Sequence, residues 1–141
     1  MLIADDRVDV YHVSHRIQCR APELLKRMLE IRGVGVVDVN QLFGGSAYMD
    51  KCQLDFIIEL VHWDDGMIID RLNPKTECET ILGLDIQKLI VPVTASKSLS
   101  VVIETAVTDF KLRKAGINTT EIFKQTVMEA IEKKNEERGN D

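Results

Sequence analysis

Leu29-Glu30-Ile31-Arg32-Gly33-Val34-Gly35-Val36-Val37-Asp38-Val39-Asn40-Gln41-Leu42-Phe43-Gly44 sets opposite charges, two close glycines and a valine run side by side. Val34, Val36, Val37 and Val39 are β-branched, and such a run reads as a buried strand of the kind found in parallel sheets. Just upstream, Ala21-Pro22-Glu23 reads as a helix start, because proline is tolerated in the first turn and glutamate suits the positive helix end. Leu25, Met28 and Leu29 then recur at helical spacing, and Gly33 ends the element with Arg32 near its C-terminal dipole. The stretch is thus read as a helix-to-strand junction, the hallmark of an α/β chain.

Working outward, Leu2–Ala4 is a short apolar strand that breaks at Asp5-Asp6, and Val8 and Val10 continue an extended pattern to about His12. After Gly44-Gly45-Ser46, a break, Leu54–Val61 is a strand candidate. Asp64-Asp65-Gly66 is a turn signal, Met67–Asp70 the returning arm, and Asn73-Pro74 its end. Leu89–Val93 is a further strand. Leu99, Val102, Ile103, Ala106 and Phe110 then form one face of a helix stopped at Gly116. Asn118 with Glu121 starts a second helix, with Phe123, Val127, Ala130 and Ile131 as its apolar stripe. The charged residues Lys133 to Asp141 are expected to fray. The organisation is one mixed α/β domain: strands and one helix over 1–97, then two helices over 98–138.

The chain has 141 residues, 45% hydrophobic and 29% charged, with a net charge of −5. This is globular composition and excludes global disorder. The acidic balance argues against a nucleic-acid partner. No apolar run approaches the roughly 20 residues that a bilayer span needs, and the acidic opening Met1-Leu2-Ile3-Ala4-Asp5-Asp6 is no signal peptide. Cys19, Cys52 and Cys78 are widely spaced and form no CxxC, so free thiols in a cytoplasmic protein are expected.

Three features carry candidate chemistry. Asp5-Asp6 follows a short apolar strand, a common place for Mg²⁺ coordination or general-base work beside a nucleotide. The alternative is a solvated turn pair. In the opening stretch, Glu30 is a candidate metal ligand and Arg32 a candidate phosphate fork, against the alternative of a helix cap with a surface ion pair. Arg71, in Asp70-Arg71-Leu72, is suited to stabilising a transferring phosphoryl group, or else to an ordinary ion pair. His12, His15 and His62 lack metal-ligand spacing and an obvious nucleophile partner, and read as structural or solvent-facing. The sequence contains no GxxxxGK[ST], HExxH or GxSxG.

The stretch 29–44 resembles the signature of HPr kinase/phosphorylase, the enzyme family acting on the histidine-containing phosphocarrier protein (HPr) of bacterial sugar transport. Leu2-Ile3-Ala4-Asp5-Asp6-Arg7-Val8, Ala21-Pro22-Glu23-Leu24, Asp70-Arg71-Leu72, Ile90-Val91-Pro92-Val93 and Leu99-Ser100-Val101-Val102-Ile103-Glu104 extend the resemblance along the whole chain. It implies a P-loop α/β catalytic domain related to phosphoenolpyruvate carboxykinases, assembled as a hexamer. It also implies phosphorylation of an HPr serine by ATP or pyrophosphate with Mg²⁺, and removal of that phosphate by phosphorolysis, in carbon catabolite regulation.

By the same resemblance Asp6 is the catalytic aspartate, Glu30 a magnesium ligand and Arg71 the catalytic arginine. Leu29–Asp38 (Leu29, Glu30, Ile31, Arg32, Gly33, Val34, Gly35, Val36, Val37, Asp38) is the loop used in both directions. Pro92-Val93-Thr94-Ala95-Ser96-Lys97 is the dephosphorylation loop. The family usually carries arginines and a Pro-Gly there, so phosphorylase activity is expected to weaken before kinase activity. The family's P-loop falls before Leu2 in its order. The resemblance therefore implies the back two-thirds of a catalytic domain, truncated on its N-terminal side. A non-catalytic remnant that oligomerises or binds HPr is the alternative.

Overall fold

A computed structural model describes residues 1–63, 76–95 and 98–139. The chain divides into two compact units. One comprises Met1–Ile57 with Cys78–Gln87, the other Ile58–Glu77 with Lys88–Asp141.

The first unit opens with a hairpin of β1 (Asp9–Val13) and β2 (Arg16–Arg20), joined by the two-residue turn Ser14-His15. Both turn residues have positive φ, 48° and 61°. That is the backbone twist a tight hairpin needs, adopted here without glycine. β2 alternates strictly: Ile17 and Cys19 are buried while Arg16 and Arg20 are exposed. β5 (Lys51–Gln53) pairs with the other edge of β2. Leu2 forms a parallel bridge to Tyr48, with backbone bonds to Ala47 and Met49 of 2.8 Å each. The expected strand at Leu2–Ala4 is therefore one bridge.

The predicted helix over 21–33 is not formed. Glu23–Leu25 makes a single 3-10 turn, Arg27 takes φ of 66°, and the chain continues as β3 (Met28–Ile31). β3 pairs antiparallel with β4 (Gly35–Asp38) across the turn Arg32-Gly33-Val34. Gly33 and Gly35 hold φ of 89° and 110°, which L side chains rarely adopt. The valine run is not a buried parallel strand either: Val34 and Val36 are 71% and 68% exposed, and β4 is one arm of a two-stranded ribbon. Val39 leaves the strand and starts α1 (Val39–Phe43). Asp38 caps that helix, its Oδ1 accepting from the Asn40 and Gln41 N–H groups at 2.8 and 3.3 Å. Val39 and Ile86 complete the buried apolar residues of this unit.

β6 (Ile57–His62), β8 (Leu84–Val93) and β7 (Thr76–Ile81) form a three-stranded sheet in that order. β7 and β8 turn at Leu82-Gly83, where Thr80 Oγ1 donates to Asp85 Oδ1 at 2.6 Å. The turn expected at Asp64-Asp65-Gly66, the arm Met67–Asp70 and the end at Asn73-Pro74 lie outside the described residues.

In the second unit, Lys88 of the central strand pairs with Glu59 of β6 at 2.8 Å. α2 (Leu99–Lys114) follows the predicted face and buries Phe110. It ends at Gly116 (φ 88°), with the Gly116 N–H bonded to Arg113 O and the Ile117 N–H to Leu112 O, both at 2.9 Å. Those two bonds satisfy the last carbonyls of the helix. Asn118 Oδ1 then accepts the Glu121 N–H at 3.2 Å, the expected cap of α3 (Thr119–Gly139). α3 runs on to Gly139, through all but the last two of the residues expected to fray, and those two lie outside the described residues. Its stripe of Phe123, Val127 and Ile131 is 56%, 38% and 54% exposed, uncovered among the described residues.

Candidate active site

The β3–β4 ribbon has one partner on each strand, so the outer edge of β3 presents backbone donors to solvent. One of them is taken from a distance in sequence. The Glu30 N–H donates to Asp5 Oδ2 at 2.9 Å, across 25 residues. A carboxylate accepting a backbone N–H makes a charge-assisted bond, stronger than a neutral one. It fixes the bend at Asp5-Asp6 against the strand that carries Glu30.

The consequence is a shared cavity of about 140 Å³, lined by Asp5, Asp6, Arg7, Leu25, Met28, Glu30 and Val36. Its polar wall holds three carboxylates and one guanidinium, and its remaining wall is apolar. Arg7 Nε is drawn 3.0 Å from Asp9 Oδ1, which keeps part of its charge balanced outside the cavity. Among the described residues, neither Asp6 nor Glu30 pairs with a cation, so their oxygens face solvent and any incoming ligand.

The donor set is all oxygen, which suits a hard cation such as Mg²⁺. Among the described residues no group of three or more His, Cys, Asp or Glu side chains forms a cage for a metal. Mg²⁺ usually binds through one or two carboxylates, with water and substrate phosphates completing its shell. Glu30, with Asp6 beside it, fits that mode and does not fit an all-protein site.

The other residues of 29–38 divide by role. Asp38 is committed to capping α1, and its Oδ2 lies 3.6 Å from an Arg27 guanidinium nitrogen. Arg32 sits in the hairpin turn and is not among the residues lining the cavity. Pro92 and Val93 end β8, in the second unit, with Thr94 and Ala95 after them. Arg71, Ser96 and Lys97 lie outside the described residues. In the sequence Asp5 is only half of an acidic pair. The structure separates the two: Asp5 holds the β3 backbone while Asp6 keeps its carboxylate open.

Two larger hollows lie in this unit. One of about 320 Å³ is lined by Arg20, Ala21, Glu23, Lys26, Asp50 and Lys51. There Lys26 Nζ meets Asp50 Oδ1 at 2.8 Å, and that hydrogen bond raises the ammonium pKa above its ordinary value.

Residues 1–127 match the protein family described as HPr Serine kinase C-terminal domain. The chain belongs to the HPr kinase/phosphorylase family. It is 38% identical over 131 residues to the HPr kinase/phosphorylase of Lactobacillus johnsonii, covering 92% of this chain and 41% of that protein. The corresponding protein of Alkaliphilus metalliredigens is 33% identical over 138 residues, covering 97% of this chain and 45% of that one. The chain thus spans less than half the length of these curated relatives. Among solved structures, the Hpr(Ser) kinase/phosphatase from Coxiella burnetii superposes with a TM-score of 0.77 at 28% identity, over 86% of this chain and 74% of that one. The mixed α/β class read from sequence agrees with this family fold. Among the described residues no helix is long and apolar enough to cross a membrane.

Proposed function

We propose that this chain carries the base and metal-ligand half of a phosphotransfer site acting on a serine of HPr, with ATP or pyrophosphate as phosphoryl donor and phosphorolysis as the reverse reaction. One observation carries the reading. The Glu30 N–H···Asp5 bond gathers Asp6 and Glu30, far apart in sequence, around one small open cavity.

In the forward direction Asp6 accepts the serine hydroxyl proton as the oxygen attacks phosphorus. In reverse the same carboxyl returns a proton to that oxygen, as microscopic reversibility requires. Glu30 supplies one carboxylate to Mg²⁺, and Asp5 keeps Glu30 at its station. Bound Mg²⁺ would neutralise charge on the phosphate oxygens. Arg71 is proposed as the cation on the transferring group. Leu29–Asp38 serves both directions, and exposed Val34 and Val36 offer a protein substrate an apolar surface. Pro92–Lys97 serves dephosphorylation, and with Lys97 as its one charge, phosphorolysis is the weaker activity. The phosphate cradle, a P-loop, is not among these 141 residues. We place the chain in the back part of a P-loop-type catalytic domain that assembles as a hexamer in the cytoplasm.

The test is transfer from Mg²⁺-ATP to purified HPr, read by intact-protein mass, with this chain alone and with a P-loop-bearing segment supplied. Phosphoserine on complementation is expected. No transfer in either arm, with the chain folded, rejects the proposal in favour of a non-catalytic, HPr-binding role. In the complemented protein Asp6→Asn should abolish transfer, and near wild-type rates would remove Asp6 as the base.

A further inference from the structure

Cys19 and Cys52 stand directly opposite each other on β2 and β5, which run antiparallel. The Leu54 N–H donates to Ile17 O at 2.8 Å, so that pair is a hydrogen-bonded one. Antiparallel ladders alternate, so two residues further along Cys19 and Cys52 occupy a hydrogen-bonded position as well. Such positions hold Cα atoms about 5.5 Å apart, inside the range of about 4.4–6.8 Å that disulfides span. Directly opposed side chains share one face of the sheet. Both are free, Cys19 buried and Cys52 half-buried.

We infer that Cys19 and Cys52 are a redox modification site that a hydroperoxide converts to a cross-strand disulfide joining β2 to β5. Cys52, the more accessible thiol, attacks first. Its sulfur forms an S–O bond, the peroxide O–O bond breaks, and the departing oxygen leaves as water or an alcohol. Cys19 then attacks the Cys52 sulfenic acid, forming S–S and breaking S–O, with the hydroxyl and the Cys19 proton leaving as water. The two thiols lose two electrons in total and the hydroperoxide gains them. Burial raises the Cys19 pKa, and the neighbouring Cys52 and Asp55 add to it, so Cys19 is the resolving thiol rather than the initial nucleophile. The bond would close a covalent loop containing the whole β3–β4 ribbon with Glu30. The inference does not depend on phosphotransfer.

The test is brief treatment of the folded 141-residue chain with dilute hydrogen peroxide, then tryptic mapping without reductant. Trypsin places Cys19 in 17–20, Cys52 in 52–71 and Cys78 in 76–88. The expected product is the 17–20/52–71 cross-linked pair as the main oxidised species, lost on reduction and unaffected by Cys78→Ser. Cys52→Ser should abolish it and leave Cys19 reduced. In urea, where register is lost, the linkage should spread over all pairings, with the shorter 52–78 loop favoured. Linkage to Cys78 in the folded chain overturns the inference. So does over-oxidation of Cys52 without a cross-link, and so does an unchanged 19–52 preference in urea.

Discussion

Asp5→Ala tests the one bond on which the candidate site depends. It removes the carboxylate that accepts the Glu30 N–H at 2.9 Å. Bonds to a charged partner contribute about 1.5–3 kcal/mol. Glu30 and Asp5 both lie at the exposed surface, and water will partly satisfy the released N–H, so the lower end applies: ~1.5 kcal/mol. A difference of that size is about tenfold in an equilibrium constant. Amide hydrogen exchange reads it locally, since the N–H exchanges only when its acceptor lets go. We predict that the Glu30 amide exchanges about tenfold faster in Asp5→Ala. In Asp5→Asn, which keeps a neutral acceptor worth ~0.5–1 kcal/mol less than the charged one, the increase should be about two- to fivefold. The Val34 N–H, bonded to Ile31 O at 2.9 Å inside the hairpin turn, is the internal control and should not change. An unchanged Glu30 amide in Asp5→Ala would refute the tether. Equal acceleration at Val34 would show that the whole ribbon had opened.

Three further outcomes follow from the same geometry. Gly35→Ala should lower stability by about 1–2 kcal/mol in urea unfolding, entirely through its φ of 110°, because an added Cβ meets nothing within 4 Å. Asp38→Ala should cost about 1–2 kcal/mol, since it removes the acceptor of two N–H groups at the start of α1, and Asp38→Ser should recover most of that loss. Burial holds the Cys19 pKa above its ordinary value of 9.0, so the folded chain retains a proton there that the unfolded chain releases. The stability from that group is therefore intact below about pH 9 and declines as pH rises through the folded pKa. Urea midpoints measured from pH 8 to 10 should fall for the parent chain more steeply than for Cys19→Ala.

How far the sequence disclosed this structure depended on whether local pattern and tertiary partner agreed. They agreed in α2, whose spaced residues bury Phe110, and in the caps at Gly116 and Asn118. They disagreed at Leu25, Met28 and Leu29, whose i, i+3, i+4 spacing matches a helix face by coincidence. Arg27 at positive φ interrupts the segment, and β4 supplies a strand partner that no local window contains. β7 (TECETI) gives no strand signal, since five of its six residues are exposed and show no apolar alternation. The β1–β2 turn lacks the glycine or asparagine that normally signals one. α1 is hidden by the valine run that leads into it, although Asp38 with Gln41 three residues on is a capping signal. For the candidate site, Asp6 and Glu30 are legible from residue type and place, and the family resemblance gives each a role. The role of Asp5 is not legible, because a bond spanning 25 residues leaves no trace in spacing.

The way the two acids divide the work follows from where the ribbon sits. A two-stranded sheet with exposed valines buries little apolar surface, so it contributes little rigidity of its own. In the proposed roles, a base and a metal ligand must nonetheless be held near their working geometry, because a displacement of about 1 Å can cost a hundredfold in rate. Making Asp6, the proposed base, itself the anchor would consume the oxygens that this role needs for accepting a proton. Using its neighbour avoids that conflict: Asp5 spends its carboxylate on the Glu30 backbone, and the peptide link carries Asp6 into place with both oxygens open. The same bond leaves the Glu30 side chain untouched, since it engages only the main chain. The anchor thus aligns both candidate carboxylates while using neither.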